Sequence, residues 1–176
     1  VTISLPLASG STKPSTTNAR SAISNSLLTL ASEPPRDKRI IARMLDELGI
    51  DYVEGGYPGA NPTDTEFFAE KPRLEHARFT AFGMTRRPGR SASNDPGLAA
   101  LIEARADAIC FVAKSSAYQV QVALETTNEE NLASIRDSVV AAKVAGREVM
   151  VDCEHFFDGY KENADFALAC ARAAYD

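Results

Sequence analysis

Arg147 to Tyr160 reads REVMVDCEHFFDGY. Three apolar residues, Val149, Met150 and Val151, give way at once to Asp152, Glu154 and His155. A run that short, β-branched at two of its three positions and preceded by Gly146, has the form of a strand buried on both faces of a parallel sheet. Carboxylates at the carboxyl end of such a strand stand where α/β folds place their chemistry. Asp152 and Glu154 are therefore candidate active-site acids.

The residues on either side extend the pattern. Upstream, Thr127 to Glu130 has the form of a capping box with Thr127 as N-cap. It leads a long amphipathic helix with Leu132, Ile135, Val139 and Val140 on one face, stopped by Gly146. Downstream, a last helix runs from Asn163 to Tyr175. Earlier strands are expected at Ile50 to Glu54, Arg78 to Phe82 and Ala108 to Val112. A helix with Ile40, Ile41, Met44, Leu45 and Leu48 at helical spacing precedes the first of these, with Gly49 as its stop. Asn61-Pro62-Thr63 turns into a helix through Phe67 and Phe68 that ends near Pro72. Asp95 and Pro96 read as N-cap and first residue of another.

A strand thus begins roughly every 30 to 40 residues, as βαβ units require. Polar residues follow each one: Glu54; Gly83 to Arg87; Lys114 to Ser116; Asp152 to His155. In a (β/α)8 barrel these four sets converge on one mouth, whereas in an open doubly wound sheet they spread along an edge. No G-x-G-x-x-G follows the first strand, which ranks a dinucleotide fold lower. Four strands cannot close an eight-stranded barrel, and half a barrel leaves raw edges. The chain is either an open α/β sheet or part of something larger.

With 176 residues, 44% of them hydrophobic, there is material for one core. The net charge of −5 and the lack of Lys/Arg tracts argue against a nucleic-acid partner. No apolar run reaches the roughly 18 residues of a transmembrane span. The expectation is a soluble, cytoplasmic chain acting on small molecules. Its three cysteines, Cys110, Cys153 and Cys170, fit no zinc spacing and read as reduced thiols. Cys153 and His155 form a C-x-H pair, but without a second cluster they make no metal site.

Residues 1–33 differ from the rest. Before Glu33 they hold no acid, are dense in Ser and Thr, and carry only Lys13 and Arg20 as charges. That composition fits a disordered tail, an organelle transit segment or a stretch not native to the domain. Residues 34–176 are taken as the catalytic domain.

Three stretches narrow the choice of fold. EGGYPGANPTDTEFF (Glu54 to Phe68), AFGMTRRPG (Ala81 to Gly89) and DCEHFFDGYKENADFALA (Asp152 to Ala169) resemble citramalate synthases, in the family of 2-isopropylmalate and homocitrate synthases. ARMLDELGIDYVEGG and TTNEENLASIRDSV resemble helices of the same family, and the likeness runs from about Pro34 to Asp176. It implies a partial TIM barrel of about four βα units, strands 2 to 5 of the parent barrel. It also implies a Claisen-type condensation of acetyl-CoA with a 2-oxo acid such as pyruvate, in branched-chain amino-acid biosynthesis. A divalent metal, Mg or Mn, and a homodimer go with the family.

Carried over by position, Glu154 corresponds to the family's strand-end glutamate, which takes part in proton transfer or holds the group that does, and Glu54 to an acid that orients the catalytic arginine. Asp152, two residues before Glu154 and so on the same strand face, corresponds to the lining of the 2-oxo acid pocket. Thr85, Arg86 and Lys114 fall on loops that contact substrate or CoA. Other family features have no counterpart here: the DTTLRDG-like first strand, with its arginine and metal-binding aspartate, and the H-x-H metal ligands. Where the family carries FGKSWDLHV this chain has FVAKSSAYQV, so Ala113, Ser116 and Gln119 replace Gly, Trp and His. The resemblance therefore leaves the metal without a complete ligand set in this chain, which leads to the expectation that the chain alone is inactive.

Blander roles stand beside these. Arg86 and Arg87 can serve as salt bridges to neighbouring helices, His155 and Asp158 as cap or solvated loop residues, and Phe67-Phe68 and Phe156-Phe157 as core. A carboxylate ending a buried strand, as at Glu54 and Glu154, is harder to explain structurally because of its desolvation.

Overall fold

A computed structural model describes Thr2–Leu5 and Leu28–Thr29 as backbone strands, and residues 34–176 in full. The rest of 1–33, and with it most of what was expected of that segment, lies outside the described residues. Four consecutive strands carry the sheet: β3 (Tyr52–Glu54), β4 (Arg78–Met84), β5 (Ala108–Lys114) and β6 (Glu148–Glu154). They lie side by side in chain order and all run parallel. β2 (Leu28–Thr29) pairs parallel with β3 at one edge, and β1 (Thr2–Leu5) pairs antiparallel with β6 at the other. Sequential parallel strands with a helical crossover between each pair are the arrangement of barrel units.

The outward face of the strands is the main core. Phe79, Ala81, Ile109, Phe111, Ala113, Val149, Val151 and Cys153 pack there against the helices. The helices are α1 (Pro35–Glu47), α2 (Pro62–Ala69), α3 (Pro96–Glu103), α4 (Ala117–Ala123), α5 (Asn128–Val144), α6 (Phe156–Glu162) and α7 (Ala164–Tyr175). Alternate residues turn to the opposite, inner face, where Ala108, Cys110 and Met150 pack with Tyr52 and Phe82.

The helix starts follow local chemistry. Asn61, Asp95 and Thr127 each accept a hydrogen bond from the N–H three residues on, at Asp64 (2.8 Å), Leu98 (2.8 Å) and Glu130 (3.2 Å). Pro62 and Pro96 open α2 and α3. Phe67 and Phe68 are core, as expected, and both pack on Phe79.

Four expectations are corrected. On α1 the buried face is Lys38, Ala42 and Leu45, while Ile40, Met44 and Leu48 are exposed. On α5, Val140 is exposed and the buried stripe runs through Asn131, Ser134, Ile135, Ser138, Val139 and Ala142. Hydropathy marks a stripe, but the neighbouring elements decide which side of the helix is covered. β6 continues through Asp152, Cys153 and Glu154, which pair with Val112, Ala113 and Lys114, because ladder hydrogen bonds do not depend on side-chain polarity. The segment after it is a helix rather than a loop, and Phe157 on it is exposed, whereas Phe156 packs against the core. α6 carries Gly159 because its backbone lies on the Ser115–Ser116 backbone, where a Cβ would overlap the Ser115 carbonyl oxygen.

Among the described residues, no helix is long and apolar enough to cross a membrane.

Candidate active site

Alternation along parallel strands brings Glu54, Lys114, Asp152 and Glu154 to the inner face of the sheet, near the carboxyl ends of β3, β5 and β6. Lys114 and Glu154 are register partners, and the ammonium donates a hydrogen bond to Glu154 Oε2. The carboxylate is about a third exposed and the lysine side chain nearly buried. A half-covered ion pair at a strand end presents a carboxylate within reach of a small molecule.

Glu54 is buried, at 2% exposure. Its neighbourhood is visible through Cys110, whose thiol is pushed up to about 12, first by burial and then by the negative charges of Glu54 and Asp152. Two acids from β3 and β6 thus act on one thiol of β5. At the amino end of the same face, the Tyr52 hydroxyl donates to Glu148 Oε1 at 2.6 Å, and Arg78 Nε lies 3.3 Å from Glu148 Oε2. That tie joins β3, β4 and β6 at the opposite end of the face from Lys114 and Glu154.

Thr85 and Arg86 are placed differently. Both are buried in the turn after β4, where the Thr85 N–H donates to the Val112 carbonyl at 3.4 Å. The Arg86 guanidinium turns to α5, with Nη1 2.7 Å from Glu130 Oε1 and Nε 2.8 Å from Asp137 Oδ2. Burial works against its charge, but the two carboxylates outweigh that and raise its affinity for the proton. Glu130 also accepts from the Gly89 N–H at 2.9 Å, and Ser138 Oγ from the Arg86 N–H at 2.8 Å, so the loop is tied down onto α5. Arg86 occupies the helix-bridging position, apart from the Lys114–Glu154 pair.

His155, next to Glu154, adopts a left-handed backbone (φ 57°) and its side chain makes no capping bond. Its Nε2 lies 3.9 Å from Glu154 Oε1. A non-glycine residue in that region is held at a cost of about 1 kcal/mol.

The sequence reading passed over two groups that hold the site. Asn131 Nδ2 donates to the Lys114 carbonyl at 2.9 Å, anchoring the end of β5 to α5. Lys38 is fully buried, bonded to Asp64 and 3.0 Å from the Gly55 carbonyl oxygen. Its signal was available, since Lys38, Ala42 and Leu45 share one helical face. A lysine in an otherwise apolar stripe calls for a buried partner.

Among the described residues, no group of three His, Cys, Asp or Glu side chains stands together to hold a metal ion. The inner-face carboxylates do not by themselves fit the divalent cation that the resemblance implies.

The pattern of the HMGL-like family matches residues 31–175, and the chain belongs to that family. It is 50% identical over 141 residues to the (R)-citramalate synthase of Streptomyces coelicolor, covering 78% of this chain and 26% of that protein. The (R)-citramalate synthase of Aquifex aeolicus is 47% identical over 140 residues, with 78% of this chain and 26% of that protein covered. The chain therefore spans about a quarter of the length of these curated relatives. The hydroxymethylglutaryl-CoA lyase of Pseudomonas aeruginosa superposes with a TM-score of 0.58 at 18% identity, over 82% of this chain and 50% of that one. The HMG-CoA lyase of Brucella melitensis gives 0.52 at 18% identity, over 66% and 40%. These likenesses support the fold of a partial (β/α)8 barrel.

Proposed function

We propose that this chain is part of a citramalate-synthase-type acyltransferase, condensing acetyl-CoA with pyruvate on the route to isoleucine. One observation carries the proposal: Glu54, Lys114, Asp152 and Glu154 share the inner face at the carboxyl ends of their strands. The 50% identity to a curated (R)-citramalate synthase supports the choice of substrates.

In that reaction a base takes a proton from the acetyl methyl group, and the resulting carbanion attacks C2 of pyruvate. The new C–C bond leaves the former keto oxygen as an alkoxide, which takes up a proton. Water then cleaves the thioester, releasing CoA as its thiol and leaving a 2-hydroxy dicarboxylate. In the Lys114–Glu154 pair the carboxylate is the group suited to accept a proton, and the ammonium is suited to stabilise negative charge that develops on oxygen. Asp152 and the buried Glu54 form the polar wall that orients the reacting groups.

A chimera tests the proposal. Residues 34–176 replace the matched segment of the Streptomyces coelicolor relative, and citramalate is measured from acetyl-CoA and pyruvate with Mg2+ or Mn2+. Turnover within about tenfold of the parent is the expected result. A folded chimera without turnover sinks the proposal and leaves the chain as a non-catalytic member of the family.

A further inference from the structure

We propose that Lys38 is a positioning residue for Glu54: together with Asp64 it clamps the Gly55–Gly56 turn that sets the direction of the Glu54 side chain. The inference rests on the role given above to Glu54.

Lys38 has no exposure, and burying an ammonium is unfavourable unless every part of it is matched. A methionine or leucine would fill the same place on α1 without that penalty. What the lysine adds is a three-way tie. Its Nζ donates to the Gly55 carbonyl at 3.0 Å and to Asp64 Oδ1, and it lies 5.5 Å from the centre of the Phe67 ring. The other oxygen of Asp64 accepts from the Tyr57 N–H at 3.0 Å and from Asn61 Nδ2 at 2.9 Å. One ion pair thereby joins α1, the turn after β3, and the start of α2.

The two glycines are shaped to this pair. A Cβ on Gly55 would stand 2.6 Å from Phe79 and 2.9 Å from Phe67, so the turn lies flat on the core. Gly56 has φ +126°, and a Cβ there would stand 2.7 Å from the Asp64 carboxyl. Glu54 is the residue immediately before. On its sheet side it is held through register with Thr80 and through the Gly55 N–H donating to the Thr80 carbonyl at 3.0 Å. On its other side the first fixed point is the Gly55 carbonyl in the grip of Lys38. The Gly55 N–H belongs to the peptide that joins Glu54 to Gly55 and the Gly55 carbonyl to the next one, so the two anchors hold both peptide planes that follow Glu54.

The test uses the full chain and needs no catalysis. Glu54 is followed by 13C NMR of its side-chain carboxyl, assigned with Glu54→Gln, in the wild type, Lys38→Met, and Lys38→Met combined with Asp64→Leu. The double variant removes one charge of each sign and keeps the shape of Asp64, so it leaves no unpaired buried charge and no change of net charge. If Lys38→Met alone does not fold, the double variant carries the result. Ile135→Val, in the core away from the turn, controls for general loosening. The expected outcome is a Glu54 titration midpoint displaced by about half a pH unit or more in the double variant and unmoved in Ile135→Val. Amide exchange at Tyr57 should quicken about tenfold or more in the double variant. An unchanged midpoint in a folded double variant overturns the proposal, as does an equal displacement in Ile135→Val. An inactive chimera would leave this result intact, so the two proposals fail separately.

Discussion

The ammonium of Lys114 is bonded to the carboxylate of Glu154 across a register pair of two parallel strands, with Ser115 N–H donating to the Glu154 carbonyl at 2.9 Å beside it. The pair is anchored from below: Asn131 holds the Lys114 carbonyl, and α6 is laid on the Ser115–Ser116 backbone. A strand end tied at so many points presents its acid in one orientation.

Glu154→Gln in the chimera should lower kcat by about two to four orders of magnitude and leave the KM for pyruvate nearly unchanged. Steady-state kinetics decide it. An unchanged kcat removes Glu154 from the chemistry.

The 176-residue chain assayed alone should release no thiol from acetyl-CoA and pyruvate with Mg2+ or Mn2+. The reason is that the inner face supplies acids and Lys114 without a cluster able to hold a metal among the described residues. A coupled thiol assay that gives steady turnover would contradict this expectation.

Arg86→Met should destabilise the chain by about 2 kcal/mol, since it strips Glu130 and Asp137 of their buried partner while leaving both partly open to solvent. Urea unfolding measures the loss. In the chimera the same change should leave the pyruvate KM within about twofold. A large rise in KM with unchanged stability would return Arg86 to the substrate.

Asp46 accepts from the backbone N–H groups of Glu75, His76 and Ala77 at 2.6, 2.8 and 2.6 Å. Burial works to raise its carboxyl, but these three donors outweigh it and hold the group below its ordinary value of 3.8. A depressed folded value means the contribution is complete above the unfolded value and disappears as pH falls through the folded one. Asp46→Asn should therefore cost about 1–3 kcal/mol near neutrality, with the gap to wild type narrowing below about pH 4. Urea midpoints from pH 7 to pH 3 test both parts.

All three cysteines should resist alkylation in the native state at pH 8 and react together on unfolding. Burial drives Cys110 and Cys170 up to about 12 and raises Cys153 as well. Each is therefore a protonated, inaccessible thiol. A rapidly labelled native thiol would show that the inner face or the α5–α7 contact opens.

The amino-acid sequence alone determined the order of the parallel strands β3 to β6 and the helices between them, the caps at Asp95 and Thr127, and the placing of Asp152 and Glu154 at a strand end. These follow from short-range physics: hydrophobic period, proline and glycine torsions, and side chains bonding N–H groups three residues away. The tertiary structure decided what depends on contacts between distant segments. It turned Arg86, just past the end of β4, to α5, and Lys114, the last residue of β5, to Glu154. It also buried Lys38 where hydropathy favoured Ile40 and Met44, because Asp64 and the Gly55 carbonyl, 26 and 17 residues away, match its charge. A buried ion pair is unreadable from either residue by itself, since its stability lies in the geometry that brings the partners together.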